Sequence, residues 1–394
     1  MGTYLDHAAT TPLRPSVVAL MTQSLLTQGN ASSVHSFGQR ARQVVEQARE
    51  DIAASLTADR NEVIFTSGGT EADNLAIQGL YSSRNRGDEF KRPIVISAAT
   101  EHHAVLEPIE WLVANRGAQV HLLQTDINGH ISLTELEQFL AQNAADVALI
   151  SLMWVNNETG VIQDIPAISR LAERFDVPVH SDAVAALGHI PIDFAASGLA
   201  AMSITGHKIG GPVGQGALLV SRKTKLDPIF HGGGHERGMR PGTLDPAGSS
   251  ALALAVKIAV ADLPAEVGAW LELNRRVVEG VASAVPEAIL VAGELEVVSE
   301  RVPNIVDFIF PGCSGDSLLF LLDACGVAVS NGSACTAGVT SASHVLLAMG
   351  YSQRDSSSCV RVSLGHTSTE SDIDAFLQYL PEAYERAKAA GFTS

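Results

Sequence analysis

Between residues 62 and 221 short apolar runs recur along the chain: EVIFTS, RPIVISA, AQVHLLQ, DVALISLMWV, VPVHSD, AAMSIT and GALLVS. Between them lie segments whose apolar positions repeat every three to four residues, among them EADNLAIQGLYSS, HAVLEPIEWLVANRG, SLTELEQFLAQNA and IPAISRLAERF. Runs bounded by turn residues read as buried strands, and the periodic segments read as helices with one apolar face. Strands alternating with helices predict an α/β fold built on a mostly parallel sheet covered on both faces. Ahead of this region, SVVALMTQSLL and QRARQVVEQAREDIAASL predict two helices joined by the loop TQGNASSVHSFG.

Around Pro246 the pattern changes. A long Ala-rich helix is predicted to begin in GSSALALAVKIAVADL, followed by a second in EVGAWLELNRRVVEGVASAV. Beyond them, the short strands NIVDFIF, GVAVS and CVRVSL and the helices GDSLLFLLDAC, SASHVLLAMG and ESDIDAFLQYLPEAYERAKAA predict a smaller α+β domain. A chain of 394 residues is also longer than one ordinary core supports, so two domains are expected.

Composition narrows the function classes. At 46% hydrophobic and 18% charged residues the chain is globular and core-rich. Its 26 Lys and Arg against 43 Asp and Glu give a net charge of -17 with no basic cluster, which argues against direct nucleic-acid binding and toward small substrates or protein partners. The stretch MGTYLDHAATTPLRPS has no basic segment followed by an apolar one, as a signal peptide requires, and Asp6 stands where myristoylation requires Ser or Thr. LLFLLDACGVAV and ALALAVKIAVA are too short and too charged to span a membrane. Cys313, Cys325, Cys335 and Cys359 form no CxxC pair and read as reduced thiols in a cytoplasm, without a resident metal motif.

In a parallel α/β sheet, ligands bind beyond the carboxyl ends of the strands. Here EVIFTS leads into GGTEADN, RPIVISA into ATEHHAV, DVALISLMWV into NNETG and AAMSI into TGHK, while VPVHSD ends on Asp182. These ends supply Thr70, His102, Asn157, Asp182 and Lys208. Lys208 stands at a turn containing Gly206, Gly210, Gly211, Gly214 and Gly216, where a lysine can be desolvated and lose its proton readily, as Schiff-base chemistry needs. Because Ile209 follows it, the loop fails the phosphate-binding pattern GxxxxGK[ST]. Taken singly, each residue has a plainer role: a solvated lysine, a helix cap over Ser67 to Thr70, a helix start at His102 and His103, a turn at Asn157. Asp182 resists that reading, because a carboxylate closing a buried strand needs a partner. Pyridoxal phosphate fits the whole set, with a lysine for its aldehyde, an aspartate for its ring nitrogen, a phosphate cup and a ring-stacking residue. Among the thiols, residue environment alone leaves Cys335 in SNGSACTAG and Cys313 in PGCSGD as equal candidates for a reactive group on a flexible turn.

The order and spacing of these pieces resemble the fold-type I pyridoxal-phosphate enzymes, and more narrowly the NifS/IscS-like cysteine desulfurases of the class V aminotransferase family. The resemblance runs nearly end to end, through YLDHAATTP, NASSVHSFG, FTSGGTEADNLAI, TEHHAVL, VNNETGVIQDI, HSDAVAALG, TGHKIGGPVGQGALL, GGGHERGMRPGTLDP, SNGSACTAG and VRVSLGHTSTE. It implies a large cofactor domain over residues 15–257, with a seven-stranded sheet, and a small domain made of residues 1–14 together with 258–394. It implies that Lys208 binds the cofactor and moves protons, that Asp182 pairs with the ring nitrogen, and that His102 stacks on the ring and assists proton transfer. Asn157 would lie near the ring hydroxyl and substrate, and Gly69, Thr70, Thr205 and His207 would hold the phosphate. Thr243 would reach the phosphate of the other subunit, which implies a homodimer with shared active sites. Arg361 would grip the substrate carboxylate, and Cys335 would accept sulfur or ligate a transferred iron–sulfur cluster. The implied reaction converts L-cysteine to L-alanine and a Cys335 persulfide, for delivery to a sulfur-acceptor protein such as an iron–sulfur scaffold, or for tRNA thiolation or another thio-cofactor. A selenocysteine lyase or another class V aminotransferase-like enzyme is the neighbouring alternative, and a non-catalytic sulfur-relay protein a more distant one.

Four positions depart from the family pattern. Ala185 and His235 replace residues that are usually Gln, Pro241 stands where Ser is common, and His366 where Arg is commoner. Ala185 removes a side chain expected to hydrogen-bond the cofactor ring hydroxyl.

Overall fold

The computed structural model describes residues 2–87, 91–332 and 342–391. Each of the seven apolar runs is a strand of one sheet, ordered Val63–Thr66, Gly216–Val220, Ala201–Thr205, Val179–Asp182, Val147–Ser151, Ile94–Ala98, Gln119–Leu123. Gly216–Val220 runs antiparallel to both its neighbours, and the remaining pairings are parallel. Val147–Ser151 is buried at every position, as expected for a central strand covered on both faces, whereas the edge strand Gln119–Leu123 is largely exposed. Two apolar clusters cover the faces, one including Val45, Ile52, Leu136, Ile168 and Leu252, the other Leu75, Leu80, Val105 and Leu112.

The smaller unit is built on the antiparallel strands Cys359–Ser363, Ile305–Ile309 and Ile289–Leu290, packed on the helices Gly315–Ala324 and Glu370–Ala390. The start of the chain belongs with it, since Thr3–Tyr4 pairs in parallel with Val327–Ala328 and Asp6 bridges to Ser363. The two helices expected after Pro246 are one continuous helix, Pro246–Ala284, of 39 residues. Proline normally breaks a helix by removing an N–H donor and crowding the preceding turn. Pro264 lies on the exposed side, while Leu252, Val256 and Ala259 anchor one half in the large core and Trp270, Leu273, Val277 and Val281 the other half in the small one. Burial of both halves outweighs the defect. The expected division at residue 257 falls inside this helix.

Candidate active site

Beyond the carboxyl ends of the central strands lies a cavity of about 370 Å³, lined by Gly69, Thr70, His102, Asn157, Asp182, Thr205, His207, Lys208 and Arg361. Residues spread over most of the chain thus meet in one chamber. Of the sequence-predicted set, Thr243 is exposed and outside this lining. Cys335 lies outside the described residues, but Ser330 and Gly332 on one flank of it and His344 on the other border the cavity.

Close backbone contact builds the chamber's rim. Gly216 lies so near Gly68 that a Cβ there would sit 2.7 Å from Gly68 Cα, drawing the glycine turn after Lys208 against the start of the helix Gly69–Arg84. That helix begins without a side-chain cap, so its first N–H groups remain available to an anion. Thr205 Oγ donates to Gln215 O at 3.3 Å and steadies the same turn.

Lys208 Nζ donates to Ala8 O at 2.6 Å. Burial lowers the Lys208 pKa from 10.5 to about 8, assisted by Arg361, while Asp182 and Asp6 pull the other way. Asp182 Oδ1 accepts from Val184 N at 2.8 Å, and burial raises this carboxyl above the usual range despite Lys208. His102 both caps the helix His103–Arg116, its Nδ1 accepting from Ala104 N at 3.0 Å, and lines the cavity, so the helix-start and ligand roles coexist. Burial, then the Lys208 charge, takes His102 down to about 4, leaving a neutral ring; His207 is lowered to about 4 for the same two reasons.

Arg361 Nη1 donates to Asn157 O at 2.6 Å and Nη2 to Asp6 Oδ1 at 3.0 Å, while its Nε is buried with no hydrogen-bond partner among the described residues. Asp6 went unrecognised in the sequence, as did Asp73, Glu158, His103 and His344, all but Asp6 in the cavity wall. Asp73 carried a signal: it stands at helical spacing from the buried Ala76, Ile77 and Leu80 of the same helix. Glu158 is fully buried and accepts from Ser343 Oγ at 2.5 Å. Ala185 also lines the cavity, offering a methyl group where a longer side chain was expected. His235 pairs with Ser32 Oγ at 2.9 Å, and His366 lies outside this chamber, beside His7 and His189 behind Lys208.

The family model for aminotransferase class-V matches residues 3–376. The chain belongs to this family. Its class V relatives include an IscS-like cysteine desulfurase of Mycobacterium tuberculosis, 48% identical over 391 residues that cover 99% of this chain and 98% of the relative. A solved NifS-like protein superposes with a TM-score of 0.89 at 30% identity, covering 98% of this chain and 100% of that one. A second, SspA in complex with cysteine, gives 0.79 at 30% identity over 93% and 100%. The class V likeness thus spans both units, including the chain start that holds Lys208 and Arg361. No helix among the described residues is long and apolar enough to cross a membrane.

Proposed function

We propose that the cavity is the active site of a pyridoxal-phosphate-dependent cysteine desulfurase, which converts L-cysteine to L-alanine and leaves the sulfur on Cys335. One observation carries the reading: Lys208, with its pKa near 8, shares a single chamber with Asp182, His102 and Arg361. The donor set suits the cofactor. The uncapped helix start at Gly69 and Thr70, with Thr205 and His207, suits a phosphate, and Asp182 suits a protonated ring nitrogen.

When bound, pyridoxal phosphate supplies the electron sink for the substrate's α-carbon. Lys208 takes and returns the proton at that carbon, a task suited to an amine that titrates near the working pH. Asp182 holds a proton at the ring nitrogen. His102, neutral, packs on the ring without placing a second positive charge beside Lys208. Arg361 orients the substrate carboxylate by its Nε edge while Asn157 O and Asp6 fix the rest of the guanidinium. Asn157 contacts ring hydroxyl and substrate, and the small unit, residues 1–14 with 258–394, brings Arg361 and Cys335 to the large unit, residues 15–257.

Cys335 receives the sulfur as a persulfide and hands it to an acceptor protein, an iron–sulfur scaffold being one such partner. Two copies complete each site, with Thr243 of one reaching the phosphate held by the other. The exposed apolar side chains of Leu26, Val34 and Val213 support such a pairing, Val213 standing in the glycine turn that follows Lys208. The enzyme works in the cytoplasm. Incubating the protein, loaded with pyridoxal phosphate, with L-cysteine and following alanine, sulfide and the mass of the Cys335 peptide tests the reading. Alanine with a persulfide adduct is expected, and turnover that survives Cys335→Ala would favour an aminotransferase-like or selenocysteine lyase reaction instead.

A further inference from the structure

At the other pole of the large sheet, beyond the amino ends of its parallel strands, lies a second cavity of about 930 Å³, larger than the cofactor chamber. Arg92, Val179 and Ala200, each at or shortly before the start of a strand, contribute to its lining. None of its residues lines the chamber, and the proposed reaction uses none of them.

Its wall carries Arg84, Arg92, Arg170, Lys223 and Lys225 against Glu62, Glu173 and Asp176. In a chain of 26 Lys and Arg to 43 Asp and Glu that balance is reversed, and the sequence hides it because the five cations come from four separate segments. Local structure holds them in place. Gly79 lets the chain that follows strand Gly216–Val220 lie against the helix Gly69–Arg84, since a Cβ at Gly79 would fall 2.6 Å from Asp227 O. Ser83 Oγ, its hydrogen shared between Leu80 O at 2.9 Å and Lys225 O at 2.8 Å, pins that segment to the end of the helix. Lys223 and Lys225 thus share a wall with Arg84.

The carboxylates leave this wall poorly neutralised. Glu62 accepts from Asp59 N at 2.9 Å and from Arg222 N at 3.0 Å. Asp176 reaches Arg84 at 3.3 Å and Arg92 at 3.9 Å, but its side chain is 85% exposed, where an ion pair is worth little. The side chains of Arg170, Glu173, Lys223 and Lys225 make no hydrogen bond or ion pair among the described residues. Burial, then the charge of Arg92, lowers the Arg84 pKa against the pull of Asp176, so these cations crowd one another.

Two orphaned donors lie among the charges. Ser169 is 3% exposed and lines the cavity, yet its Oγ has no hydrogen-bond partner among the described residues. Arg84 Nε is buried and equally without one. Gly198 keeps Ser169 uncovered, because a Cβ there would come 3.1 Å from Ser169 Cβ. A buried donor without an acceptor is costly, and an anion accepting from Ser169 Oγ and Arg84 Nε would satisfy both.

We propose that this cavity binds a small multivalent anion, a molecule bearing several phosphate or carboxylate groups, with Ser169 and Arg84 donating from the buried side and Arg170, Lys223 and Lys225 meeting it at the rim. The volume is that of a small-molecule site, and the net charge of -17 repels anions from the rest of the surface.

Titration calorimetry on the full chain, with tripolyphosphate and with citrate as probes at about 0.15 M salt, tests this. At least one probe should bind at one equivalent per chain, and the tighter of the two names the phosphate or the carboxylate source. Ser169→Ala removes only an unpartnered hydroxyl, so the protein should fold as wild type and bind the probe about 3- to 10-fold more weakly. Arg170→Ala combined with Lys223→Ala, both exposed side chains, should weaken binding at least about 10-fold. Thr70→Val, in the cofactor chamber, should leave it unchanged. Binding of neither probe overturns the proposal, as does binding that Ser169→Ala or the double variant leaves unaltered. Binding abolished by Thr70→Val would place the anion in the cofactor chamber and overturn it as well.

Discussion

Replacing Lys208 with methionine should make the cofactor-free protein more stable at neutral pH, the reverse of what deleting a buried hydrogen-bonding group usually does. The folded protein lowers the Lys208 pKa from 10.5 to about 8, so between those values the unfolded chain binds more protons than the folded one. Below pH 8 both forms carry the proton and the full penalty of holding a cation in the cavity is present; as pH rises from 8 to 10.5 it is progressively relieved. At 1.36 kcal/mol per pH unit the penalty is about 3.4 kcal/mol. The bond from Nζ to Ala8 O offsets about 1 kcal/mol of it, since the variant leaves that carbonyl without its donor. Methionine should therefore gain about 2 kcal/mol at pH 7, a gain that fades as pH rises toward 10.5. Urea unfolding of both proteins at pH 7 and pH 10 measures this directly, and the difference between the two differences removes every group common to both chains. A Lys208→Met protein that is less stable than wild type at pH 7, or whose stability difference is the same at both pH values, would refute the account of why this lysine is poised for proton transfer.

Three further outcomes are expected. Arg361→Ala should raise KM for L-cysteine on the order of 100-fold, from the loss of charge-assisted bonds to the substrate carboxylate, while Arg361→Lys, which keeps charge without the fork, should fall between; steady-state kinetics with an unchanged KM would remove Arg361 from the substrate site. Gly216→Ala places a methyl group 2.7 Å from the Gly68 backbone and should cost about 1–3 kcal/mol, read as a lower melting temperature with weaker cofactor uptake. Ala185→Gln restores a donor in the cavity wall and should shift the pH at which the bound cofactor changes its absorption; superimposable titrations would show that Ala185 leaves the ring hydroxyl unaffected.

Local pattern carried much of the fold because the central strands are buried on both faces and so announce themselves as apolar runs. Where one run exceeded its strand, as in DVALISLMWV, Leu152 and Trp154 continue as extended chain whose N–H groups bond to His180 and Asp182 carbonyls, contacts that no local rule encodes. Pro264 misled for a related reason, since whether a helix survives a proline depends on what anchors each side. At the site, residues at strand ends were legible because the topology of parallel sheets places them together. Asp6 was not: its role comes from an ion pair with Arg361 across 355 positions of sequence. Asp73 and Glu158 stood inside recognised motifs, yet their significance lies in having few or no partners once buried, a property of the assembled interior.

The helix Pro246–Ala284 also bears on how the molecule comes apart. About 58 Å long at 1.5 Å per residue, it is at once a wall of the large core and a wall of the small one. Loosening either core strips a helix of half its packing, and the other core loses a wall in turn. Calorimetry should therefore record one melting transition for both units, and a cavity cut at Val277 should lower the melting temperature of the cofactor chamber that Val277 never touches.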